Sequence, residues 1–268
     1  MKIGFLITAR LKSSRLKLKL LRDLHGKTII QRVIDRVRRI QNIDDIVLCT
    51  SKNPQDRALV EIARKNSIYY FNGDGEDVIH RLTEAAKFYG FEYIVGITGE
   101  NPLFSIDHAN QIVDLIKKEK KDFIYFDGLP IGCATFGMKV KAMETICEVK
   151  NVVNTEMWGY LVKQPKIFDI LEVKVDDFYY DPELRVTTDH FEDYQFISAL
   201  YDELAEDKLY SHYNLVKLLK DKPELRQIHA HKKQDRMPQE KIDAINKYFE
   251  ENTEKILAVK KKVYSEES

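Results

Sequence analysis

Strand-like and helix-like segments alternate along the first half of the chain, and this order restricts the possible folds more than any other feature. Apolar runs such as KIGFLIT and DDIVLCTS have the length of buried strands, whereas TIIQRVIDRVRRIQ has the apolar spacing of an amphipathic helix. Strands that alternate with helices at this spacing run parallel and are joined by crossover connections. The sequence therefore predicts an α/β fold, a three-layer α/β/α sandwich around a mostly parallel sheet.

The loops that follow the predicted strands are the expected place for a ligand. In open parallel sheets, ligands bind beyond the carboxyl ends of the strands. Those ends are predicted at residues 9–19, 51–53, 72–77 and 98–103, and Thr98 begins the last of them. We expect these four loops to line one cleft.

The first of these loops is strongly basic. It carries Arg10, Arg15 and Lys19 together with the hydroxyls of Ser13 and Ser14. Fixed positive charge, hydroxyls and exposed amides suit a triphosphate, and arginine can bind phosphate oxygens through two hydrogen bonds. The loop lacks the glycines and the Gly-Lys-Ser/Thr ending of a P-loop, which argues against an ordinary kinase or GTPase. A solvated basic turn is the alternative interpretation.

Two acidic residues are predicted at the same edge of the sheet. Glu100 follows an apolar strand in ITGENPLF, and Asp189 has a similar position in RVTTDHFEDY, ahead of a helix. Magnesium prefers hard oxygen ligands, typically one or two carboxylates plus substrate phosphates. Beside a basic phosphate loop, the two carboxylates predict a Mg2+ site. Taken separately, each acid is better explained as a helix cap or a surface residue, and only the joint pattern favours the metal site.

Composition limits the partners of this protein. The chain of 268 residues has 43 Lys and Arg residues and 43 Asp and Glu residues, whereas nucleic-acid-binding domains are usually strongly basic. We therefore expect no nucleic-acid partner. The amino terminus has too short an apolar stretch for a signal peptide, no run reaches membrane-spanning length, and the three cysteines are far apart. These features predict a cytoplasmic protein without a membrane partner.

The pattern of segments changes after residue 127. Residues 127–185 are rich in loops, with short helical segments and one strand candidate, FDILEVKV, and we expect them to form one side of the substrate pocket. They are predicted to be an insertion within a single domain of residues 1–222. Residues 223–268 are predicted to be a mostly helical C-terminal extension. Its apolar stripe suits docking on the same core or contact with a second subunit, so a homodimer is one possible assembly.

In their order, these motifs resemble those of the cytidylyltransferase family that activates acidic sugars, in particular the branch labelled spore coat polysaccharide biosynthesis proteins. The family's first motif reads approximately Ala-Arg-x-x-Ser-x-Arg-Leu-Pro-x-Lys, and Lys17 replaces its proline here. RVTTDHFEDY resembles a second motif, and ITGENPL resembles a third in which Glu100 stands at the usual aspartate. The resemblance covers approximately residues 2–204. In the first motif it rests on Ala9, Arg10, Ser13, Arg15, Leu16 and Lys19.

The resemblance implies a nucleotidyltransferase-like fold, that of the nucleotide-diphospho-sugar transferases, and a set of site residues. In such enzymes Arg15 and Lys19 would contact the β- and γ-phosphates, and Glu100 and Asp189 would hold Mg2+; these four residues are the implied catalytic set. The residues implied at the nucleotide are Ala9, Arg10, Ser13, Ser14, Arg15, Lys19, Arg81 and Thr98. The residues expected on the acceptor side are Asn101, Glu156, Trp158, Tyr160 and Arg185.

The implied reaction transfers CMP from CTP to a sugar or acidic-sugar acceptor, with release of pyrophosphate, for surface glycan biosynthesis. Three alternatives remain open at this stage. One is an enzyme that uses another triphosphate, such as GTP, with a sugar 1-phosphate. A second is a non-catalytic nucleotide-binding protein of the same fold, which the departure at Glu100 would explain. A third is a glycosyltransferase, which the order of the motifs makes a poorer match.

Overall fold

The computed structural model describes residues 1–13, 15–232 and 234–265, and a seven-stranded sheet lies at its centre. The strands of the described chain are β1 (Ile3–Thr8), β2 (Asp23–Leu24), β3 (Lys27–Thr28), β4 (Asp45–Ser51), β5 (Tyr69–Gly73), β6 (Tyr93–Thr98), β7 (Phe123–Asp127), β8 (Phe136–Lys139) and β9 (Ile170–Lys174). β2 and β3 form a small hairpin. The others form one sheet in the order β5-β4-β1-β6-β8-β7-β9. β8 is antiparallel to both its neighbours, and the remaining pairs are parallel.

Helices cover both faces of this sheet. They are α1 (Ile29–Val37), α2 (Arg57–Lys65), α3 (Val78–Phe88), α4 (Ile106–Glu119), α5 (Val140–Val149), α6 (Gly159–Val162), α7 (Phe191–Glu203), α8 (Glu206–Leu209), α9 (His212–Asp221), α10 (Gln239–Glu251) and α11 (Thr253–Ser265).

Alternation along β1 shows how the layers form. Phe5 and Ile7 are buried against α1, α4 and α7, whereas Leu6 is buried in a second core with α3 and α5. Successive side chains of a strand point to opposite faces, so each face of the sheet has its own apolar core. The predicted three-layer α/β/α fold is therefore confirmed.

Two elements differ from the prediction. The run FDGLPIGCATFG was expected to be loop-rich, but its last two residues, Phe136 and Gly137, belong to β8, which pairs with β6 and β7. The segment RVTT before α7 was expected to be the end of a strand. In the structure its only ladder contact among the described residues is an isolated bridge between Ile131 and Arg185. Both differences arise because pairing with distant segments, rather than local composition, decides whether a short run is a strand.

The C-terminal helices pack on the same chain. Ile245, Phe249 and Ile256 are buried in the second core, and α11 lies on α5. The apolar stripe of the extension is therefore covered by its own domain, while a homodimer stays a prediction. Among the described residues, none of the helices combines the length and the apolar character needed to cross a bilayer.

The register of the central strands brings the loops of the predicted site to one level. Thr8, the last residue of β1, pairs with Cys49 of β4 and with Thr98, the last residue of β6. The amide of Ala9 donates to the Cys49 carbonyl at 3.0 Å, and the amide of Gly99 donates to the Thr8 carbonyl at 2.8 Å. The segments that begin at residues 9 and 99 therefore leave the sheet side by side.

Two histidines are buried next to each other at the starts of α4 and α9. The ring centroids of His108 and His212 are 5.5 Å apart, and Tyr179 stacks on His212. Neither ring nitrogen of His212 has a hydrogen-bond partner among the described residues. Burial, reinforced by the charges of His108 and Arg36, lowers the pKa of His212 to about 3. The folded protein therefore keeps this imidazole neutral.

Acidification is expected to destabilise the fold through His212. The unfolded chain takes up a proton near pH 6.5, whereas the folded site excludes it, so stability that is present above pH 6.5 is lost as the pH falls. At pH 5 the loss from this residue is about 2 kcal/mol. Thermal unfolding of the wild type and of His212→Leu should be compared at pH 7.5 and 5.0. Between pH 7.5 and pH 5.0, the unfolding temperature of the variant should fall less than that of the wild type. An equal fall in both proteins would show that His212 does not cause the loss of stability.

Candidate active site

A cavity of about 590 Å³ opens at the carboxyl ends of β1 and β6. Its wall combines the loop after β1, the start of α3, the end of β6, part of the 127–185 insertion and one residue of the C-terminal extension. The lining residues are Thr8, Arg10, Lys12, Ser13, Arg15, Lys19, Glu76, Val78, Arg81, Ile97, Thr98, Glu100, Phe136, Asn154, Glu156, Trp158 and Asp235.

Arg10 and Lys12 bridge the basic loop to the opposite wall of the cavity. Arg10 donates to the carbonyl of Gly75, and its guanidinium nitrogens lie 3.5 Å from carboxylate oxygens of Glu76 and Glu156. Lys12 Nζ lies 2.8 Å from Glu76. These cations are therefore paired with acids of the cavity wall itself.

The other predicted residues of this loop have different positions. Ser13 lines the cavity, whereas Ser14 lies outside the described residues. Ala9 is buried beneath the cavity against Gly99. A Cβ atom at position 99 would lie 3.2 Å from Cβ of Ala9 and 3.0 Å from the side chain of Ile30, so a side chain here would make its neighbours shift.

Lys19 and Asp189 form the central ion pair of the site. Lys19 Nζ lies 2.8 Å from Oδ1 of Asp189, and each side chain is only 11% exposed. One guanidinium nitrogen of Arg15 lies 3.5 Å from the same carboxylate oxygen, and another binds Asp235. Two cations of the basic loop therefore converge on one buried carboxylate.

The backbone of Glu100 is hydrogen-bonded to the residue that precedes Asp189. The amide and the hydroxyl of Thr188 both donate to the carbonyl of Glu100, at 3.1 and 2.7 Å. The residue after Thr188 is Asp189, so these bonds fix the two acidic residues side by side. Residues that are distant in the sequence therefore meet beside Lys19, as the prediction of a shared site requires.

The charges in this group stabilise one another. Burial alone would lower the pKa of Lys19, but the negative charges of Glu100 and Asp189 outweigh it, and the pKa is raised. Burial alone would raise the pKa of Asp189, but Lys19, Arg15 and Arg185 lower it. Both groups are therefore ionised throughout the neutral range.

Arg185 supports Asp189 from behind rather than lining the described part of the cavity wall. Its Nη2 lies 2.9 Å from Asp193 and 3.5 Å from Asp189, and a further guanidinium nitrogen donates to Gln234. Asp193 also accepts from the amides of Asp189 and His190, at 3.1 and 2.9 Å. This buried network fixes the backbone at the start of α7. The predicted acceptor-side residue Arg185 is thus placed behind the acid.

Arg81 is fully buried and faces the cavity from α3. One guanidinium nitrogen donates to the carbonyl of Asp74, but Nε and Nη2 have no partner among the described residues. Burial lowers the pKa of Arg81, and the positive charge of Arg10 lowers it further. A buried donor without a partner is costly, so these two guanidinium nitrogens are suited to bind acceptor atoms of a ligand.

Trp158 and Glu156 occupy the insertion side of the cavity. The Trp158 ring packs edge-on against Phe136, with centroids 4.7 Å apart. The Phe136 ring in turn crosses Gly96 of β6, where a Cβ would lie only 2.2 Å from the ring. Trp158 is therefore supported by the sheet and also lines the cavity.

Tyr160 and Asn101 are placed differently from these two residues. Tyr160 packs against the second core and is not among the described residues that line the cavity. Asn101 donates from Nδ2 to the hydroxyl of Thr98 at 2.7 Å, and its Oδ1 has no partner among the described residues. Asn101 is buried beneath Thr98, which itself lines the cavity.

The carboxylates fit a hard divalent cation. Glu100 lies on the cavity wall, and its carboxylate accepts no hydrogen bond from a described residue. Asp189 is held ionised by three cationic neighbours. The described residues contain no group of three His, Cys, Asp or Glu side chains arranged as a metal site. The protein would thus supply two carboxylates and leave the other positions to phosphate and water oxygens, as is usual for Mg2+.

Several residues of the wall were not predicted. Lys12 and Glu76 lie within the loops that were predicted to line the cleft, and Asn154 lies within the insertion, but none of the three was singled out as a site residue. Phe136 and Asp235 gave no local signal, because only the fold brings β8 and the segment before α10 to the cavity.

Comparison with known proteins places the chain among nucleotide-using enzymes. The family model described as cytidylyltransferase matches residues 5–265. An uncharacterized protein of Methanocaldococcus jannaschii is 29% identical over 220 residues, which cover 81% of this chain and 86% of the relative.

Two further similarities agree with that match. The spore coat polysaccharide biosynthesis protein SpsF of Bacillus subtilis is 24% identical over 229 residues, which cover 83% of this chain and 95% of that protein. The solved structure of a cytidylyltransferase from Leptospira borgpetersenii superposes with a TM-score of 0.78 at 25% identity, covering 85% of this chain and 97% of the other.

Proposed function

Because this chain belongs to the cytidylyltransferase family, we propose that it transfers CMP from CTP to a sugar or acidic-sugar acceptor and releases pyrophosphate. The single observation that carries the proposal is the convergence of Lys19, Asp189 and Glu100 at the edge of a basic cavity. The similarity to a spore coat polysaccharide biosynthesis protein supports a role in surface glycan synthesis.

Catalysis of this reaction depends mainly on positioning the two substrates and on neutralising the negative charge of the phosphates. An acceptor oxygen forms a bond to the α-phosphorus while the bond from that phosphorus to the bridging oxygen of pyrophosphate breaks, and the acceptor proton is lost to solvent. Arg15 and Lys19 supply positive charge where negative charge develops on the leaving group. Because the pKa of Lys19 is raised, this charge is permanent at neutral pH.

The nucleotide would lie along β1 and α3. Arg10 and Arg81 both line the cavity and donate to the adjacent carbonyls of Gly75 and Asp74, and the two free donors of Arg81 suit carbonyl or phosphate oxygens. Binding of a nucleotide would therefore satisfy a guanidinium that is buried without partners. Ser13 and Thr98 add hydroxyl groups to the same wall.

Glu100 and Asp189 would hold the divalent cation, which we propose to be Mg2+. When bound, the cation would neutralise charge on the phosphate oxygens. Thr188 holds Glu100 in place through the hydrogen bond from its hydroxyl to the Glu100 carbonyl. The guanidinium of Arg185 holds Asp189 through their ion pair.

The acceptor would lie against the insertion. Trp158 offers an aromatic surface and Glu156 a carboxylate, a combination that suits the hydroxyl groups and apolar faces of a sugar ring. Arg10 lies 3.5 Å from Glu156, so the acceptor side and the nucleotide side share a boundary at this ion pair.

Release of pyrophosphate tests the proposal directly. The purified protein should be assayed with ATP, CTP, GTP and UTP, each against 3-deoxy-manno-octulosonate, N-acetylneuraminate, mannose 1-phosphate and glucose 1-phosphate. We expect release with CTP and a keto acid sugar, dependent on a divalent cation. Release only with GTP and a sugar 1-phosphate would favour the other enzyme class. Binding of CTP without release from any pairing would favour a non-catalytic protein.

A further inference from the structure

Asp77, Lys150 and Thr155 form a buried junction at the edge of the cavity, which we call the Asp77 clamp. Asp77 Oδ1 accepts from the hydroxyl of Thr155 at 2.8 Å and from the amide of His80 at 3.2 Å, and Oδ2 accepts from Lys150 Nζ. The Thr155 hydroxyl oxygen also accepts from the amide of Ile79 at 3.0 Å. Both carboxylate oxygens are therefore used.

The clamp is more than a surface ion pair. The side chains of Asp77 and Lys150 are 11% and 10% exposed, and Thr155 is buried. Lys150 donates to the carbonyl of Val152 as well, at 3.2 Å. A buried carboxylate and ammonium require such complete pairing, and removal of one partner leaves the other charge buried and uncompensated.

The two sides of the clamp carry different parts of the proposed site. Asp77 caps α3, and the neighbouring residues Glu76 and Arg81 line the cavity on the nucleotide side. Lys150 and Thr155 belong to the segment of residues 150–158, which places Glu156 and Trp158 in the wall on the acceptor side. The amide of Thr155 also donates to the carbonyl of Glu76 at 3.3 Å.

We propose that Asp77 is a positioning residue that holds the acceptor-side segment 150–158 against the nucleotide-side helix α3. This inference rests on the proposed function for the identity of the two sides. Asp77 has no place in the described cavity lining, so it acts through Trp158 and Glu156 and not by contact with a substrate. Its loss should separate acceptor binding from nucleotide binding.

The test uses Asp77→Asn. Asparagine is as good a helix cap as aspartate and still accepts from Thr155, but it cannot neutralise Lys150. Lys150→Met removes the other member of the pair. Asp122→Asn is the matched control, because Asp122 is equally buried and lies 2.6 Å from Lys260, in an ion pair between α11 and the start of β7.

Fluorescence provides a readout that does not depend on turnover. Trp158 is the only tryptophan of the chain, so its emission reports on segment 150–158 alone. Acrylamide should quench Trp158 more strongly in Asp77→Asn and Lys150→Met than in the wild type, and Asp122→Asn should resemble the wild type. Unchanged quenching in both clamp variants would overturn the proposal that Asp77 holds this segment.

Kinetics distinguish positioning from a purely structural role. With CTP and the most active sugar of the panel, kcat/KM for the acceptor should fall about 10- to 100-fold in Asp77→Asn, while the dissociation constant of CTP stays at the wild-type value. The proposal would be overturned if CTP binding and kcat/KM for the acceptor were weakened equally. It would also be overturned if the unfolding temperature fell while the acceptor kinetics stayed unchanged. A wild type that is inactive with every pairing would defeat the proposed function instead, and quenching would still decide whether the clamp holds.

Discussion

Asp189→Ala and Glu100→Ala should each lower the rate of pyrophosphate release by about 10³-fold or more, because each removes a group that neutralises or organises charge at the reacting phosphate. The two variants are expected to differ in stability. Asp189 is buried among Lys19, Arg15 and Arg185, so its loss leaves three cations without their shared partner. Glu100 accepts no hydrogen bond from a described residue, but its charge helps to stabilise the nearly buried Lys19, so its loss should lower the unfolding temperature less than the loss of Asp189 does.

Milder substitutions separate charge from shape at these positions. Asp189→Asn and Glu100→Gln keep the size of the side chain and remove the charge, and both should be as inactive as the alanine variants if a cation is bound there. Glu100→Asp keeps the charge but withdraws it by about one carbon–carbon bond, and it should retain activity. Glu183→Ala is the control, since Glu183 is exposed and pairs only with Arg236 among the described residues.

Binding of Mn2+ in the presence of CTP gives a second measurement. Electron paramagnetic resonance should detect a bound ion in the wild type and in Glu183→Ala, and a much weaker one in Asp189→Asn and Glu100→Gln. Full activity together with normal Mn2+ binding in Asp189→Asn and Glu100→Gln would show that the two acids do not form the metal site.

Local patterns were sufficient for the layers of the fold and for the position of Glu100, whereas the strand end expected before Asp189 did not form. The strands β1, β4 and β6 are continuous apolar runs between amphipathic helices, and such periodicity is a property of neighbouring residues. The carboxyl ends of parallel strands lie at one edge, so the position of Glu100 after β6 followed from the order of segments. The family resemblance, drawn from the order of the motifs, is confirmed by the family match.

Contacts between segments that are distant in the chain could not be predicted from the sequence. Arg185 was expected beside the acceptor, but its burial next to Asp193 depends on how α7 begins. Asp235 reaches the cavity only because the segment before α10 approaches Arg15. The partners of Asp77 lie more than 70 residues away along the chain. Such pairings depend on the path of loops, for which residue type gives no periodic signal.

Lys19→Met should lower kcat by about 10²- to 10³-fold, the range found when one group that stabilises transition-state charge is removed. Lys19 is nearly buried beside Asp189, and its raised pKa keeps it charged through the neutral range. The activity of the wild type should therefore show no alkaline loss from this group below its ordinary pKa. Lys19→Arg keeps the charge in a larger group and should recover part of the activity.

The double variant Lys19→Met with Asp189→Asn decides whether this ion pair serves the reaction or only the fold. Each single variant leaves a buried group without its partner, which destabilises the protein, whereas removing both charges relieves that cost. The unfolding temperature of the double variant should therefore recover towards that of the wild type. Turnover should not recover, because the reaction needs a cation at the leaving pyrophosphate and an acid at the metal. If turnover rose together with stability, Lys19 and Asp189 would be a structural pair, and the catalytic charge would have to come from Arg10 or Arg15.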